Sequence, residues 1–311
     1  MEPRDIIVVG ASAGGVTALQ NLVRQLRVGL AASVFVVLHL QRDQHSHLPA
    51  ILQAHCKLPV KHAIDGEKIE HGFVYVAPPD RHLVIEFGHV HLSAGPKENR
   101  TRPAINPLFR SAALAYGPRV IGIVLSGMLD DGTAGLWEIK RRGGIAIVQA
   151  PEDAKFDQMP NSAIENVPVE YQVPVAEMGD LIASLIGQPT QSLIAGMETQ
   201  MGESTRLTCP DCHGPIERFR LGPIIEYKCR VGHAYSPENM LAAHEDEEER
   251  ALWSAIESLE EGADLADEVS TARKPSDENG YKAGPETKRK LAKSIRAAID
   301  AAKLGRAAVG D

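Results

Sequence analysis

The chain has 311 residues, of which 43% are hydrophobic, 24% charged and 5% aromatic. This length allows one large domain with a smaller one, and the composition is that of an ordinary globular protein. A net charge of −8 argues against nucleic acid as the main partner, because such a partner favours a basic surface. No stretch approaches the ~20 apolar residues of a membrane span and no signal-peptide pattern is present, so we expect a cytoplasmic protein without membrane insertion.

Residues 1–186 have the pattern of an α/β domain. Four short β-branched runs are typical of strands: residues 5–10, 33–39, 120–126 and 144–149. Between the first two runs, residues 16–26 carry apolar side chains at helical spacing. Residues 73–92 alternate around turn residues, which predicts an antiparallel excursion. We therefore predict a doubly wound, mainly parallel sheet with an antiparallel hairpin.

The rest of the chain is predicted to contain a linker, a small module and a helical tail. Residues 187–208 are rich in Gln, Gly, Ser and Thr, which is typical of a linker. The small module is expected at residues 209–236 and the helical tail at residues 237–311. Within the tail, an acidic segment at 244–268 precedes a basic segment at 286–304.

The two tail segments are predicted to pair as antiparallel helices, because their charges are opposite and each carries an apolar stripe. The stripes expected to meet are Leu252, Ile256 and Leu259 on the first segment, and Leu291, Ile295, Ile299 and Leu304 on the second. Two independent helices, or a helix that binds a receptor or an adaptor, are the alternatives. The oligomeric state is left open.

A glycine-rich segment at residues 10–15 joins the first predicted strand to the first predicted helix. A dinucleotide-binding loop would have glycine in place of Ser12 and an acidic residue after the second strand, and a phosphate loop would have lysine in place of Val16. The remaining interpretation is a serine at a sharp turn on the carboxyl edge of the sheet, which is a nucleophile's position. A helix N-cap is the structural alternative for Ser12.

Further polar side chains follow other predicted strands. His39 ends the second strand, and Asp130 and Asp131 follow the strand at 120–126. Because the carboxyl ends of parallel strands lie along one edge, Ser12, His39 and Asp131 can converge there. These are the residue types of a nucleophile, a base and an orienting carboxylate. A capping or core histidine and a helix N-cap at one of the aspartates are the alternatives.

Several segments together resemble the catalytic domain of the CheB-type chemoreceptor methylesterases, over roughly residues 4–186. They are residues 10–15, His39, residues 126–128 with Asp131 and Gly132, residues 102–111, and Gln149 followed by Met159 and Pro160. The resemblance implies a doubly wound α/β domain that hydrolyses the methyl esters of glutamate side chains in chemotaxis signal transduction, with glutamine deamidation in some members. It assigns a Ser12/His39/Asp131 triad, with Asp131 matching because it precedes Gly132, and the backbone N–H of Met128 as an oxyanion donor.

The sequence departs from the pattern of this family at Ala13, Leu40 and Leu129. These departures leave the triad intact and affect the expected substrate contacts. The first predicted strand begins at residue 5, so we expect no N-terminal phosphoacceptor domain of the kind that usually gates these esterases. We likewise expect no control by an aspartyl phosphate in cis.

Three of the four cysteines are clustered near a histidine. Cys209 and Cys212 form a C-x2-C pair, and after sixteen intervening residues Cys229 and His233 form a C-x3-H pair. Three thiolates and an imidazole are the ligand set of a closed structural zinc site. The residues between the pairs have the pattern of a hairpin that would bring the pairs together. His213 is an alternative fourth ligand.

A redox dithiol and unbound cysteines are the other interpretations of the C-x2-C pair. The dithiol is disfavoured because no thioredoxin-like βαβ pattern surrounds it, and unbound cysteines are disfavoured further. Cys56 lies alone in an apolar stretch and is predicted to be a buried filler.

We therefore predict a serine hydrolase that removes methyl esters from glutamate side chains and needs no cofactor for its chemistry. Its expected partners are the cytoplasmic helices of methylated chemoreceptors or a related signalling protein. Two alternatives remain open. One is a non-catalytic signalling adaptor of the same fold, and the other is an esterase that acts on a different acyl substrate.

Overall fold

A computed structural model describes residues 2–39, 46–190, 202–272 and 284–307. The chain divides into two compact units, residues 1–240 and residues 241–311. None of the helices in the described ranges combines the length and the apolar character that crossing a membrane requires.

Strands and helices alternate along most of the first unit. The strands in the described residues are β1 (Ile6–Ala11), β2 (Ser33–Leu38), β3 (Val60–His62), β4 (Val74–Val76), β5 (His82–Glu86), β6 (His89–Ser93), β7 (Val120–Val124), β8 (Ile145–Gln149), β9 (Tyr171–Val173), β10 (Glu203–Thr208), β11 (Pro215–Leu221), β12 (Ile224–Cys229) and β13 (Ala234–Tyr235). The α-helices are α1 (Gly15–Arg24), α2 (Leu48–Gln53), α3 (Ile105–Tyr116), α4 (Thr133–Arg141), α5 (Gln158–Asn166), α6 (Val175–Leu185), α7 (Pro237–Ala272) and α8 (Pro285–Ala307).

Within the described part of the chain, seven strands form one parallel sheet in the order β3-β4-β2-β1-β7-β8-β9. The chain first extends the sheet on one side of β1 and then returns to add β7 on the other side. The carboxyl ends of β1 and β7 therefore flank the point where the strand order reverses, which is where open α/β sheets bind ligands. The predicted mainly parallel α/β sheet is confirmed.

Helices cover both faces of this sheet, because its central strands are apolar on both sides. Strand β1 is buried along its whole length. Its side chains Ile7 and Val9 pack in the layer with α1 and α6, while Ile6 and Val8 pack in the layer with α3 and α4. Each such side chain contributes about 1.5–3 kcal/mol on burial. The two packed layers hold the strand ends in fixed register.

The antiparallel hairpin is formed by β5 and β6, as predicted, but the excursion is shorter than expected. Residues 74–76 do not belong to it, because β4 lies in the parallel sheet between β2 and β3. Val74, Tyr75 and Val76 are all buried. An alternating sequence does not distinguish a strand covered on both faces from one half of a hairpin.

A second, antiparallel sheet of the described residues has the order β10-β11-β12-β13. The expected hairpin between the cysteine pairs is present as β11 and β12, and it turns at Gly222, whose φ is 62°. Strand β10 lies inside residues 187–208, where we expected only a linker. Its polar side chains suit an exposed edge strand, which is stabilised by pairing with β11.

The helices of the second unit pack on each other through a small apolar seam. Ile256, Ala292 and Ile299 are buried, with Leu259 and Ile295 packed against them. Arg296 pairs with Glu260 and Arg289 with Asp264, so the two helices run antiparallel. Leu252 and Leu291 are exposed, contrary to expectation. The side chain of Leu304 lies outside the described residues.

We predict that Ile256→Ala loosens the pairing of α7 and α8, because Ile256 is 2% exposed and its loss opens the seam. The expected loss of stability is about 2 kcal/mol, at the low end for such truncations because the seam is small. Hydrogen exchange across residues 285–301 of the full chain measures it. Leu252→Ala, at a 41% exposed position of the same helix, is the control and should leave exchange unchanged. Equal exchange in both variants would contradict the prediction that Ile256 stabilises the pairing of α7 and α8.

Candidate active site and metal centre

Ser12 lies in the sharp turn between β1 and α1. Its backbone N–H donates to the carbonyl of Ser126 at 3.0 Å, and its carbonyl accepts the N–H of Gly15 at 2.9 Å. The turn depends on Gly14, which has a φ of 73° and where a Cβ would lie 2.8 Å from the Ser126 Oγ. Gly14 is the N-cap of α1, so the helix-cap interpretation of Ser12 is wrong. The turn places the Ser12 side chain at the carboxyl edge of the sheet.

His39 follows β2 directly, and its imidazole joins Ser12 to Asp131. Nδ1 lies 3.0 Å from the Ser12 Oγ, and Nε2 lies 2.8 Å from Asp131 Oδ2. Because an ionised carboxylate can only accept, Nε2 carries the hydrogen and Nδ1 accepts the Ser12 O–H. The N–H of His39 also donates to the carbonyl of Ala11 at 3.2 Å, so the neighbouring strands hold the two side chains in register.

Asp131 is 1% exposed, and both oxygens of its carboxylate accept hydrogen bonds. Besides His39, its donors include the N–H of Ile105 at 2.6 Å, the side-chain amide of Asn99 at 2.9 Å and the N–H of Gly132 at 3.0 Å. Ile105 begins α3, so the carboxylate also lies at the positive end of a helix dipole. Burial alone would raise the pKa of Asp131, but His39 and the other donors outweigh burial and lower that pKa below its usual value.

The structure thus brings together Ser12, His39 and Asp131, the three residues that the sequence predicted at this edge, and it adds partners that the sequence did not indicate. Asn99 carries no periodic or motif signal, since it reaches Asp131 from a loop. Asn106 lies in residues 102–111, one of the segments that resemble the family, but the sequence predicted no role for it. Its Oδ1 accepts the N–H groups of Gly132 and Gly135 at 3.2 and 2.8 Å. The N-cap of α4 is Gly132, so the expected aspartate cap is wrong.

The loop after β7 brings backbone N–H groups close to Ser12. A Cβ on Gly127 would lie 2.9 Å from the Ser12 Cβ, so only glycine allows this approach. The N–H of Gly127 donates to Phe156 and that of Leu129 donates to Gln158. Between them, the N–H of Met128 has no acceptor among the described residues. The Met128 side chain is 50% exposed, so the loop borders solvent.

Asp130 has the opposite electrostatic character to Asp131. Burial, and then the facing carboxyl of Glu238, raise the pKa of Asp130 to about 8. Its Oδ1 accepts from the Ser236 Oγ and from the Asn239 amide, both at 2.6 Å. Asp130 therefore holds a proton at neutral pH and contacts the segment that follows the second sheet.

The four residues of the predicted metal site converge at one end of the second sheet. Their ligand atoms all lie within 4.8 Å of one another: Cys209, Cys212, Cys229 and His233. The Cys209 Sγ and the Cys229 Sγ each lie 3.6 Å from the His233 Nδ1, and the sulfurs of Cys212 and Cys229 are 3.6 Å apart. His213 is exposed and is not part of this cluster. These separations match the edges of a tetrahedron, about 3.5–3.8 Å, around an ion bound at ~2.0–2.3 Å.

Comparison with known proteins places residues 7–182 in the family described as CheB methylesterase. A Methanosarcina mazei protein named protein-glutamate methylesterase/protein-glutamine glutaminase 2 is 38% identical over 191 residues, which are 59% of this chain and 52% of that protein. A Geobacillus kaustophilus protein named protein-glutamate methylesterase/protein-glutamine glutaminase is 37% identical over 188 residues, 59% of this chain and 54% of that protein. This chain spans about half the length of these curated relatives.

A solved structure gives the same result for the fold. The crystal structure of the Thermotoga maritima CheB methylesterase catalytic domain aligns with a TM-score of 0.56 and 33% identity, covering 58% of this chain and 98% of that domain. The family match ends at residue 182, before the second sheet and its cysteines begin.

We predict that the contact of Asp130 with residues 236–239 weakens as pH rises. The raised pKa means that the folded protein keeps a proton that the unfolded chain releases between its ordinary value of 3.8 and about 8. The contribution of this contact to the free energy of unfolding is therefore complete below about pH 4. It falls between about pH 4 and pH 8 and is lost above about pH 8.

Asp130→Asn should flatten this dependence, since the amide donates to Glu238 at every pH. The measurement is the unfolding midpoint of wild type and variant between pH 5 and pH 9. Asp180→Asn, at an exposed aspartate, is the control, and it should change the midpoint equally at both ends of that range. A wild-type slope that persists in Asp130→Asn would refute the assignment.

Proposed function

The chain belongs to the CheB methylesterase family, and we propose that it is a serine hydrolase that removes methyl esters from glutamate side chains of chemoreceptors. Deamidation of glutamine side chains is proposed as a second reaction at the same site, because esters and amides form the same acyl intermediate. The names of the two relatives described above pair these two reactions.

The observation that carries the proposal is the pair of hydrogen bonds from Ser12 through His39 to Asp131. The distances of 3.0 and 2.8 Å are within the range of a nucleophile bound to its base and a base bound to its orienting group. Adaptor proteins have no need of such an arrangement, since binding alone does not require a buried carboxylate aligned with an imidazole. The geometry therefore favours an enzyme over the adaptor alternative.

In the proposed reaction, the Ser12 Oγ attacks the ester carbonyl carbon while His39 Nδ1 takes the hydroxyl proton. The tetrahedral intermediate then loses methanol, whose oxygen receives that proton from His39. A water molecule deprotonated by His39 attacks the acyl-serine, and release of the glutamate carboxylate restores the Ser12 O–H. With a glutamine substrate the leaving group is ammonia. Asp131 remains ionised and stabilises the imidazolium.

The proposed oxyanion donor is the backbone N–H of Met128. Its neighbours Gly127 and Leu129 already donate to protein acceptors, and the close packing of Gly127 on Ser12 brings this peptide to the nucleophile. A donor held in place before reaction stabilises the developing negative charge without reorganisation.

The surroundings of Ser12 suit a side chain that projects from a folded partner. His39 is partly exposed and Met128 is half exposed, so the site opens at the protein surface. A glutamyl ester on the outside of a receptor helix can reach such a site without unfolding of the helix. We therefore propose methylated receptor helices, or a related signalling protein, as the partner.

We further propose that Cys209, Cys212, Cys229 and His233 bind one structural zinc ion. Three thiolates and one imidazole are the donors that zinc prefers in closed sites, and the separations of 3.6 Å fit its tetrahedral geometry. When bound, the ion would stabilise the second sheet and would not contact the ester substrate.

Ser12→Ala, His39→Ala and Asp131→Asn are each predicted to lower kcat for a glutamate methyl ester peptide by ~10⁴-fold, and their losses should not add. Methanol release from the peptide measures the rate. Ser184→Ala, at an exposed serine of α6, is the matched control and should turn over at the wild-type rate.

Labelling with a serine-directed fluorophosphonate separates the remaining possibilities. Labelling at Ser12 together with methyl ester turnover supports the proposal. Labelling without turnover would indicate a different acyl substrate, and the absence of both would indicate the adaptor.

We predict one zinc ion per chain, measured by elemental analysis of the purified protein. Cys229→Ser should lose the metal, whereas Cys56→Ser, at a buried cysteine outside the cluster, should keep it. Because metal binding supplies folding energy, a zinc chelator should speed hydrogen exchange across β10–β13 and leave the parallel sheet protected. A metal-free protein whose second sheet is protected from hydrogen exchange would contradict the proposed zinc site.

A further inference from the structure

We propose that Asn99 is a positioning residue for Asp131 and that the metal-binding sheet holds Asn99 in place, so that metal loading controls turnover. This inference rests on the proposed function. The second sheet lies beyond the family match and, in this proposal, acts on the triad through Asn99.

Asn99 is buried in a tight turn next to the triad. Glu98 and Thr101 exchange backbone hydrogen bonds at 3.3 and 3.0 Å around it. Its φ is 47°, in the left-handed region that asparagine tolerates better than most residues. From this turn its side-chain amide donates to Asp131 Oδ1 at 2.9 Å. Asn99 does not touch Ser12 or His39 through any hydrogen bond in the described residues.

Two other polar groups of Asn99 bind the last strand of the second sheet and the residue that follows it. Its backbone N–H donates to the carbonyl of Ala234 at 2.8 Å, and its Oδ1 accepts the N–H of Ser236 at 2.9 Å. Ala234 also donates to the carbonyl of Lys97 at 3.3 Å. Because Ala234 directly follows the candidate ligand His233, a path of adjacent bonds leads from the metal site to the triad carboxylate.

A buried ion-pair cluster fixes the same sheet to α3. Glu226 on β12 is 3% exposed and lies 3.2 Å from Arg110, and Arg110 also pairs with Glu98 beside Asn99. Removal of one partner from a buried ion pair is costly, so this cluster favours a single docking position. The helix that carries Arg110 is the helix whose first N–H binds Asp131.

The expected size of the effect follows from the bond to Asp131. A hydrogen bond to a charged group, expressed fully in the transition state, corresponds to about ten- to hundredfold in rate. Loss of Asn99 or loss of the metal should remove the same bond. The two changes should therefore not add. Because Asn99 is buried and makes no hydrogen bond to Ser12 or His39 among the described residues, KM should stay at its wild-type value while kcat falls.

The test compares wild type and Asn99→Gly in the full chain, each with zinc and after treatment with a zinc chelator. Glycine adopts a φ of 47° without strain, so the turn is kept and only the amide is lost. We expect kcat to fall about ten- to hundredfold on chelation of wild type and in zinc-loaded Asn99→Gly. Chelation of Asn99→Gly should change kcat by less than about twofold, and added zinc should restore only wild type.

A second readout does not depend on turnover. The proton on His39 Nε2 is followed by NMR, and it should move to the same position in chelated wild type and in Asn99→Gly. Asn239→Ala is the control, because it removes the side-chain bonds of Asn239 to Asp130 and to the Ser236 Oγ and leaves the bonds of Asn99 in place. Its kcat and its His39 resonance should match wild type.

Three results would overturn the proposal: wild-type kcat in Asn99→Gly, an equal response to chelation with and without Asn99, or an unmoved His39 resonance. If no preparation hydrolyses the ester, the proposed function fails, and the resonance still decides whether the metal reaches Asp131 through Asn99.

Discussion

The structure depends on the hydrogen-bond donors that surround the Asp131 carboxylate. A buried carboxylate is stable only when such donors satisfy its oxygens. The donors come from parts of the chain that lie far apart in sequence. His39 is supplied by the end of β2, Ile105 by the first turn of α3, and Asn99 by a loop. The carboxylate thus joins the parallel sheet, a covering helix and, through Asn99, the second sheet. Its low pKa follows from these donors, because burial acts in the opposite direction.

Two adjacent aspartates meet this requirement in opposite ways. Asp131 has enough donors to remain ionised, whereas Asp130 faces the carboxyl of Glu238 and keeps a proton to near pH 8. The separation of their pKa values allows both to be buried side by side without two full charges in contact. Asp131 therefore belongs to the proposed triad, and Asp130 contacts residues 236–239.

The convergence of Ser12, His39 and Asp131 could be anticipated from sequence, because parallel strands bring their carboxyl ends to one edge. The cysteine spacing likewise anticipated four groups that meet in the structure. The role of Asn99 could not, since its contact depends on a left-handed turn and on docking between two sheets. Similar limits explain β4, because alternation alone does not report whether one or both faces of a strand are covered. Long-range packing determines both the contact of Asn99 and the position of β4.

In the proposed reaction, Ser12 is acylated by the glutamyl group of an ester substrate. Rapid mixing with a glutamate methyl ester peptide, acid quenching within the first turnover and mass spectrometry of the digested protein test it most directly. The expected result is a fragment containing Ser12 that is heavier by the mass of the peptide less methanol, and that disappears once the ester substrate has been consumed. Methanol release from a chain that never carries this adduct on Ser12, or an adduct on another residue, would contradict the role of Ser12 as the nucleophile.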